Sequence, residues 1–159
     1  MSQEQYRKAL RHERKREKLP RRRTCAFCGE TDIRALQASD GAVLCADCRL
    51  ALSGRSPFER HHPAGKRNDP FTVKMPANEH GIFNDMQNDW PPRTLMNPKR
   101  SPLLRQAGSH RAALDTLLRQ VEIQREWATL KEDLEEFCRL KIGEDWCREF
   151  EMFRKEKQG

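Results

Sequence analysis

Two cysteine pairs, Cys25-x2-Cys28 and Cys45-x2-Cys48, constrain this chain more than any other feature. Each pair offers two thiols to one point from a tight turn, and the sixteen residues between the pairs suffice to wrap two knuckles around a single tetrahedral ion. Gly29, directly after the first pair, suits a turn that needs positive φ. Four sulfur ligands leave no coordination position open, so the expected occupant is structural Zn2+ and not a catalytic ion. A thioredoxin-like redox pair or simple burial would also use cysteine, but two pairs at this separation favour metal. Cys138 and Cys147 lack such a partner and read as ordinary core or surface residues.

A metal staple is also what the composition calls for. With 36% hydrophobic and 35% charged residues in 159, the chain is too polar for one well-filled core along its whole length. No apolar run approaches the roughly 20 residues needed to cross a bilayer, and the N-terminus is densely charged where a signal peptide would be apolar. The expectation is a cytoplasmic protein with no membrane partner, in a compartment that keeps thiols reduced.

The net charge of +7 is unevenly placed. Residues 1–23 hold ten Lys or Arg against three Glu, and residues 49–105 hold ten basic against five acidic residues. A basic arm beside a basic centre attracts polyanions by counterion release, so nucleic acid is the expected partner. Arg21, Arg22 and Arg23 close the arm and are candidate phosphate contacts; a solubilising tail is the plainer reading. The arm favours helix, but its few apolar positions, Tyr6, Ala9, Leu10 and Leu19, predict a solvated helix or a disordered segment.

Beyond the cysteine pairs, the Phe-Thr-Val run predicts a short strand around residues 71–75, with a helix beginning near Asn78. Pro91, Pro92, Pro98 and Pro102 punctuate an extended connector. Ser101-Pro102 then opens a long helix, on which Leu114, Leu117, Leu118, Val121, Trp127, Leu130, Leu134 and Phe137 read as one apolar stripe. Gly143 is expected to end it, with Trp146, Phe150 and Phe153 on a short final helix. The stripe reads as core or a helix–helix seam; because a long helix needs an apolar partner and the chain supplies few, a homodimer or another protein through this region is the alternative.

The second constellation is Glu59-Arg60-His61-His62-Pro63-Ala64-Gly65-Lys66-Arg67-Asn68-Asp69, followed by Thr72-Val73 and Asn78-Glu79-His80. The His-His-x-x-Gly-Lys-x-Asn opening, the Thr-Val strand and a His at a helix start resemble the HNH endonuclease family, whose ββα-metal core is a β-hairpin and a helix gripping one divalent cation. The resemblance covers about thirty residues, from Glu59 to Asp89. It implies that His61 is a metal ligand, His62 the general base, His80 a second ligand, and Asn68 the Asn that holds the hairpin loop. Asn84, four residues after His80, projects from the same helical face and completes the implied set. The cation would be Mg2+ or another divalent ion. Lys66 and Arg67 beside the motif are further candidate nucleic-acid contacts. The chain departs from many relatives in carrying Phe71 nine residues before His80, and Pro76 and Glu79 where a cysteine pair often stands.

The expected fold is therefore small α+β. It comprises a basic arm (residues 1–23), a zinc ribbon (24–58), an HNH-like ββα-metal core (59–92), a Pro-rich connector (93–100) and a helical C-terminal region (101–159). The expected function is metal-dependent phosphodiester hydrolysis in DNA with a His general base. The competing expectation is a zinc-stabilised nucleic-acid-binding or adaptor protein in which the histidines are relics.

Overall fold

A computed structural model describes residues 3–19, 23–39 and 41–146. The chain is small α+β, with two antiparallel two-stranded sheets and a long C-terminal helix, and it divides into compact units Met1–Asp115 and Thr116–Gly159.

The first unit opens with helix α1 (Gln3–Glu17). It is docked, contrary to the solvated or disordered arm expected from its few apolar residues, because the contacts that hold it are polar. Arg11 bridges Asp85 at 3.2 Å and Asp89 at 2.9 Å, His12 Nε2 meets Asp85 Oδ2 at 2.8 Å, and Lys15 Nζ donates to the Arg34 carbonyl at 2.6 Å. A count of apolar positions is blind to such pairs.

The cysteine region forms a turn and a hairpin. Gly29, at φ +79°, donates to the Cys25 carbonyl at 3.0 Å and closes the first knuckle. Strands β1 (Leu36–Ser39) and β2 (Ala42–Cys45) pair antiparallel with Leu36 opposite Cys45. β2 runs straight into helix α2 (Ala46–Leu52), whose N-cap is Cys45 itself, the sulfur accepting from the Cys48 N–H. Among the described residues, Leu19, Cys25, Leu36, Val43 and Cys45 form the buried cluster here, with Ile33, Leu44 and Cys48 packed against it, a core too small to hold two knuckles shut unaided.

A second hairpin follows, β3 (Phe58–His61) against β4 (Val73–Pro76), and β4 leads directly into helix α3 (Ala77–Gln87). The strand and helix expected near residues 71–75 and Asn78 fall within two residues of these. The start of α3 packs on α2 through Ala46, Leu50 and Ala77. The two helix starts are also locked reciprocally: Asp47 N–H donates to Asn78 Oδ1 and Asn78 N–H donates to Asp47 Oδ1, both at 3.0 Å. Each side chain thus satisfies a first-turn donor of the other helix, which its own chain leaves unpaired.

The segment expected to be extended contains a short helix, α4 (Pro92–Met96), because Pro91-Pro92 places a proline at the first helical position, where its fixed φ helps. Helix α5 (Pro102–Lys141) then begins, and its first turns close over the second hairpin's loop. Gly108 lies so near that loop that a Cβ there would stand 2.8 Å from both the Ala64 carbonyl and Asn68 Nδ2. Trp90, 4% exposed, donates from Nε1 to Asp115 at 2.9 Å. These contacts carry the first unit past the connector and into α5.

The second unit continues α5. At about 100° per residue, the six-residue step from Val121 to Trp127 turns the helix by about 240°, so the single stripe expected along it is two stripes on different faces. Leu114, Leu117, Leu118 and Val121 form one; Ile123, Trp127, Leu130, Leu134 and Phe137 form the other. Of these nine all but Ile123 are exposed. Gly143, at φ +126°, ends the helix by donating to the Arg139 carbonyl at 3.1 Å. The short final helix expected around Phe150 and Phe153, and Cys147, lie outside the described residues. No helix among the described residues is long and apolar enough to cross a membrane.

Candidate functional site

The four cysteines predicted to share an ion do converge. Their sulfurs all lie within 4.8 Å of one another, with Cys28 Sγ and Cys45 Sγ 3.6 Å apart. Sulfurs at about 2.3 Å from a tetrahedral zinc would sit about 3.8 Å apart, so the cluster fits such an ion with little movement. The chemistry of the donors agrees. Burial pushes the Cys25 thiol upward, but N–H groups of Cys28, Cys45 and Phe27 outweigh it and bring the thiol down to about 6. Burial, reinforced by the neighbouring sulfurs, pushes Cys48 far up. Four thiolates in one place repel, and a dication at their centre relieves that repulsion.

The second hairpin and α3 bring His61, His80 and Asn84 together. His61 and His80 have ring centroids 5.5 Å apart, and Asn84 Nδ2 is 3.2 Å from His80 Nε2. Burial, then the nearby His80 and His62 rings, push His61 down to about 4, so it is neutral at physiological pH and offers a lone pair. His80 is fixed by a residue that the sequence reading passed over. Its Nδ1 lies 2.5 Å from Glu59 Oε2, so Nδ1 carries the proton and Nε2 is left as the donor atom. A carboxylate behind a ligating imidazole is the usual means of fixing its tautomer and raising its basicity. Glu59 stands two residues before His61 on β3, and strand alternation puts both on one face; that was the available signal.

His62 points elsewhere. Its Nδ1 lies 3.3 Å from the Asp69 carbonyl, which can only accept, so Nδ1 bears the hydrogen and Nε2 is free to take one. Its position depends on Gln87, also missed in the sequence. Gln87 Nε2 donates to the His62 and Pro63 carbonyls, both at 2.8 Å, and so clamps the end of β3 to α3. His80, Asn84 and Gln87 are spaced at i, i+4 and i+7, one helical face, and that periodicity would have pointed to Gln87.

Asn68 does not touch the histidines. It is 2% exposed, donates from Nδ2 to the Ala64 carbonyl at 2.8 Å and the Thr94 carbonyl at 2.9 Å, and accepts from Asn97 Nδ2 at 2.9 Å. It ties the hairpin loop across its own base and to α4. Lys66 and Arg67 are exposed on that loop and line a cleft of about 550 Å³. Arg23 is exposed; Arg21 and Arg22 lie outside the described residues.

Among the described residues, only the cysteine cluster gathers three or more His, Cys, Asp or Glu ligand atoms around one point. His61 and His80 are a pair, and Asn84 is needed to make a set of three. Known protein families, curated proteins and solved structures offer no match to the chain.

Proposed function

We propose that this protein is a metal-dependent nuclease of the HNH type, with Zn2+ held by Cys25, Cys28, Cys45 and Cys48 as a structural staple. The observation that carries this reading is the division of labour between neighbouring histidines. His61 joins His80 and Asn84 in one cluster, while His62 is turned to a backbone carbonyl that takes its Nδ1 hydrogen, so that in the neutral ring Nε2 is the acceptor. His61, His80 and, through its amide oxygen, Asn84 would hold Mg2+ or another divalent cation. Such an ion, when bound, polarises a phosphate oxygen and steadies the leaving oxygen. His62 Nε2 takes the proton from an attacking water, Glu59 keeps His80 in its ligating tautomer, and Gln87 and Asn68 hold the loop so that the base keeps its aim. DNA is the proposed substrate, with the cationic loop meeting phosphates, and the cytoplasm the proposed location.

The partner proposed for the C-terminal helix is a second copy. Ile123, Trp127, Leu130, Leu134 and Phe137 alternate four- and three-residue steps, a coiled-coil seam, and Glu126 and Lys131 flank it where a parallel pair would bring opposite charges together.

Plasmid nicking across Mg, Mn, Ni and Zn tests the nuclease. His62→Ala should lower the rate by about 10²- to 10⁴-fold without rescue by added cation. His61→Ala and His80→Ala should be partly rescued by it. If the zinc-loaded protein cleaves neither plasmid, single-stranded nor branched DNA, nor RNA, the zinc-stabilised binding or adaptor protein is the better description. The incomplete His and acidic ligand set favours that second reading.

A further inference from the structure

The cleft of about 550 Å³ beside the hairpin loop is lined by Lys66, Arg67, Arg100 and Arg105, with Asp69 the sole carboxylate. The four cations come from two separate stretches of chain, the loop after β3 and the turn into α5. All four are exposed, and none forms an ion pair among the described residues.

Two of these arginines stand where local structure disfavours them. Arg100 has φ +52°, a left-handed conformation that costs a non-glycine residue about 1–2 kcal/mol. The turn is imposed by buried Asn97, which is itself left-handed at φ +35° and accepts from the Ser101 N–H at 2.8 Å. Asn97 also donates to Asn68 Oδ1 at 2.9 Å, so the turn is fastened to the loop that carries Lys66 and Arg67. Arg105 lies near the start of α5, where its charge opposes the helix dipole and the first turn holds no acidic residue to compensate. Strain and unfavourable charge at the rim of one cavity are the marks of a site built for something else.

The cleft reaches His62 through one shared neighbour. Asp69 lines it, and the carbonyl of the same residue fixes His62. We propose that this cleft, through Lys66, Arg67, Arg100 and Arg105, seats phosphates of the nucleic-acid strand beside the one presented to His62. The inference rests on the nuclease reading for its orientation, and its test is a binding measurement, so that the two fail separately.

The probe is a short fluorescein-labelled DNA duplex, titrated with full-length, zinc-loaded His62→Ala protein at several salt concentrations. Each lost phosphate contact should reduce the slope of log Kd against log salt by about 0.9, so Arg100→Gln/Arg105→Gln should reduce it by about 1.8. Adding Lys66→Gln and Arg67→Gln should reduce it by a similar amount again. Arg125→Gln/Arg139→Gln, on the second unit and off the proposed seam, should leave it unchanged. Arg100→Gly relieves the left-handed strain while removing the charge, so its loss of slope by about 0.9 cannot be blamed on misfolding. Inorganic phosphate and a mononucleotide serve as competitors and should displace the duplex only weakly. A slope that survives Arg100→Gln/Arg105→Gln and Arg100→Gly overturns the proposal, as does saturable, Arg100-dependent binding of the mononucleotide with duplex binding unaltered. Absence of cleavage by the His62-intact protein would sink the nuclease and leave this result standing.

Discussion

Replacing Asn68 by Asp changes one atom's chemistry and should cost more than most core truncations. The amide gives two hydrogens to the Ala64 and Thr94 carbonyls and takes one from Asn97, with 2% of its surface exposed. A carboxylate keeps only the last of these. Two buried carbonyls lose their donor and face a negative charge instead of an N–H. At about 1–3 kcal/mol for each buried group left unsatisfied, the expected loss is about 2–6 kcal/mol before charge repulsion is added. Asn68→Ala leaves three groups unpaired but adds no charge, so its loss should be of the same order and should not vary with pH. Trp90 is the reporter: it is buried beside Gly65 of the same loop, within 3.7 Å of where a Cβ there would stand. With Trp127 and Trp146 changed to Phe, its fluorescence in a urea titration follows the first unit alone. The penalty of Asn68→Asp should be least in acid, where the carboxyl is protonated and restores one donor. A loss within about 1 kcal/mol at neutral pH, or one that does not vary with pH, would refute the role assigned to this amide.

Cys45→Ser should abolish binding of one zinc per chain in native mass spectrometry and unfold the knuckles, since structural zinc contributes about 10–16 kcal/mol in comparable small modules; retained zinc with an unchanged melt would count against the site. Burial acts to raise Asp85, but hydrogen bonds from His12 and Arg11 outweigh it and hold its carboxyl below the usual value of 3.8. Its contribution is therefore complete above that value and lost as pH falls through the lower folded one. Hydrogen exchange in residues 3–17 should accelerate in strong acid, and Asp85→Asn should reproduce the effect at neutral pH, on the order of tenfold for about 1.4 kcal/mol. Unchanged protection in Asp85→Asn would mean that α1 is held by something else. Leu130→Glu/Leu134→Glu should convert a sedimenting dimer to monomer, whereas Leu117→Glu, on the other stripe, should not; a wild-type monomer at high concentration removes the coiled-coil seam.

What the sequence revealed was whatever depends on spacing alone. The cysteine pairs, the i and i+4 relation of His80 to Asn84, the second hairpin's later strand and the stop at Gly143 are all periodicities or breaks that local geometry dictates. What it hid was pairing between distant polar residues. Nothing in the run from Gln3 to Glu17 says that Arg11 and His12 will meet Asp85, more than seventy positions away. Asn97 looked like a connector residue, yet it is buried and holds Asn68 in place. The apolar residues of α5 conceal their arrangement for a different reason: their three- and four-residue steps look like one stripe, but the accumulated angle across one six-residue gap moves the face.

The reciprocal lock between Asp47 and Asn78 bears on how this chain can be cut. Helix α3 begins after Pro76, which makes no side-chain cap of its own, so its first turn borrows a cap from a residue 31 positions earlier. A fragment beginning at residue 58 would contain the second hairpin and His61, His62 and His80, but its helix would start uncapped and bare on the side that α2 covers. The smallest transplantable cassette therefore reaches back to the first cysteine. A graft that carries the histidines without the knuckles would move those side chains while leaving behind the part that sets their register.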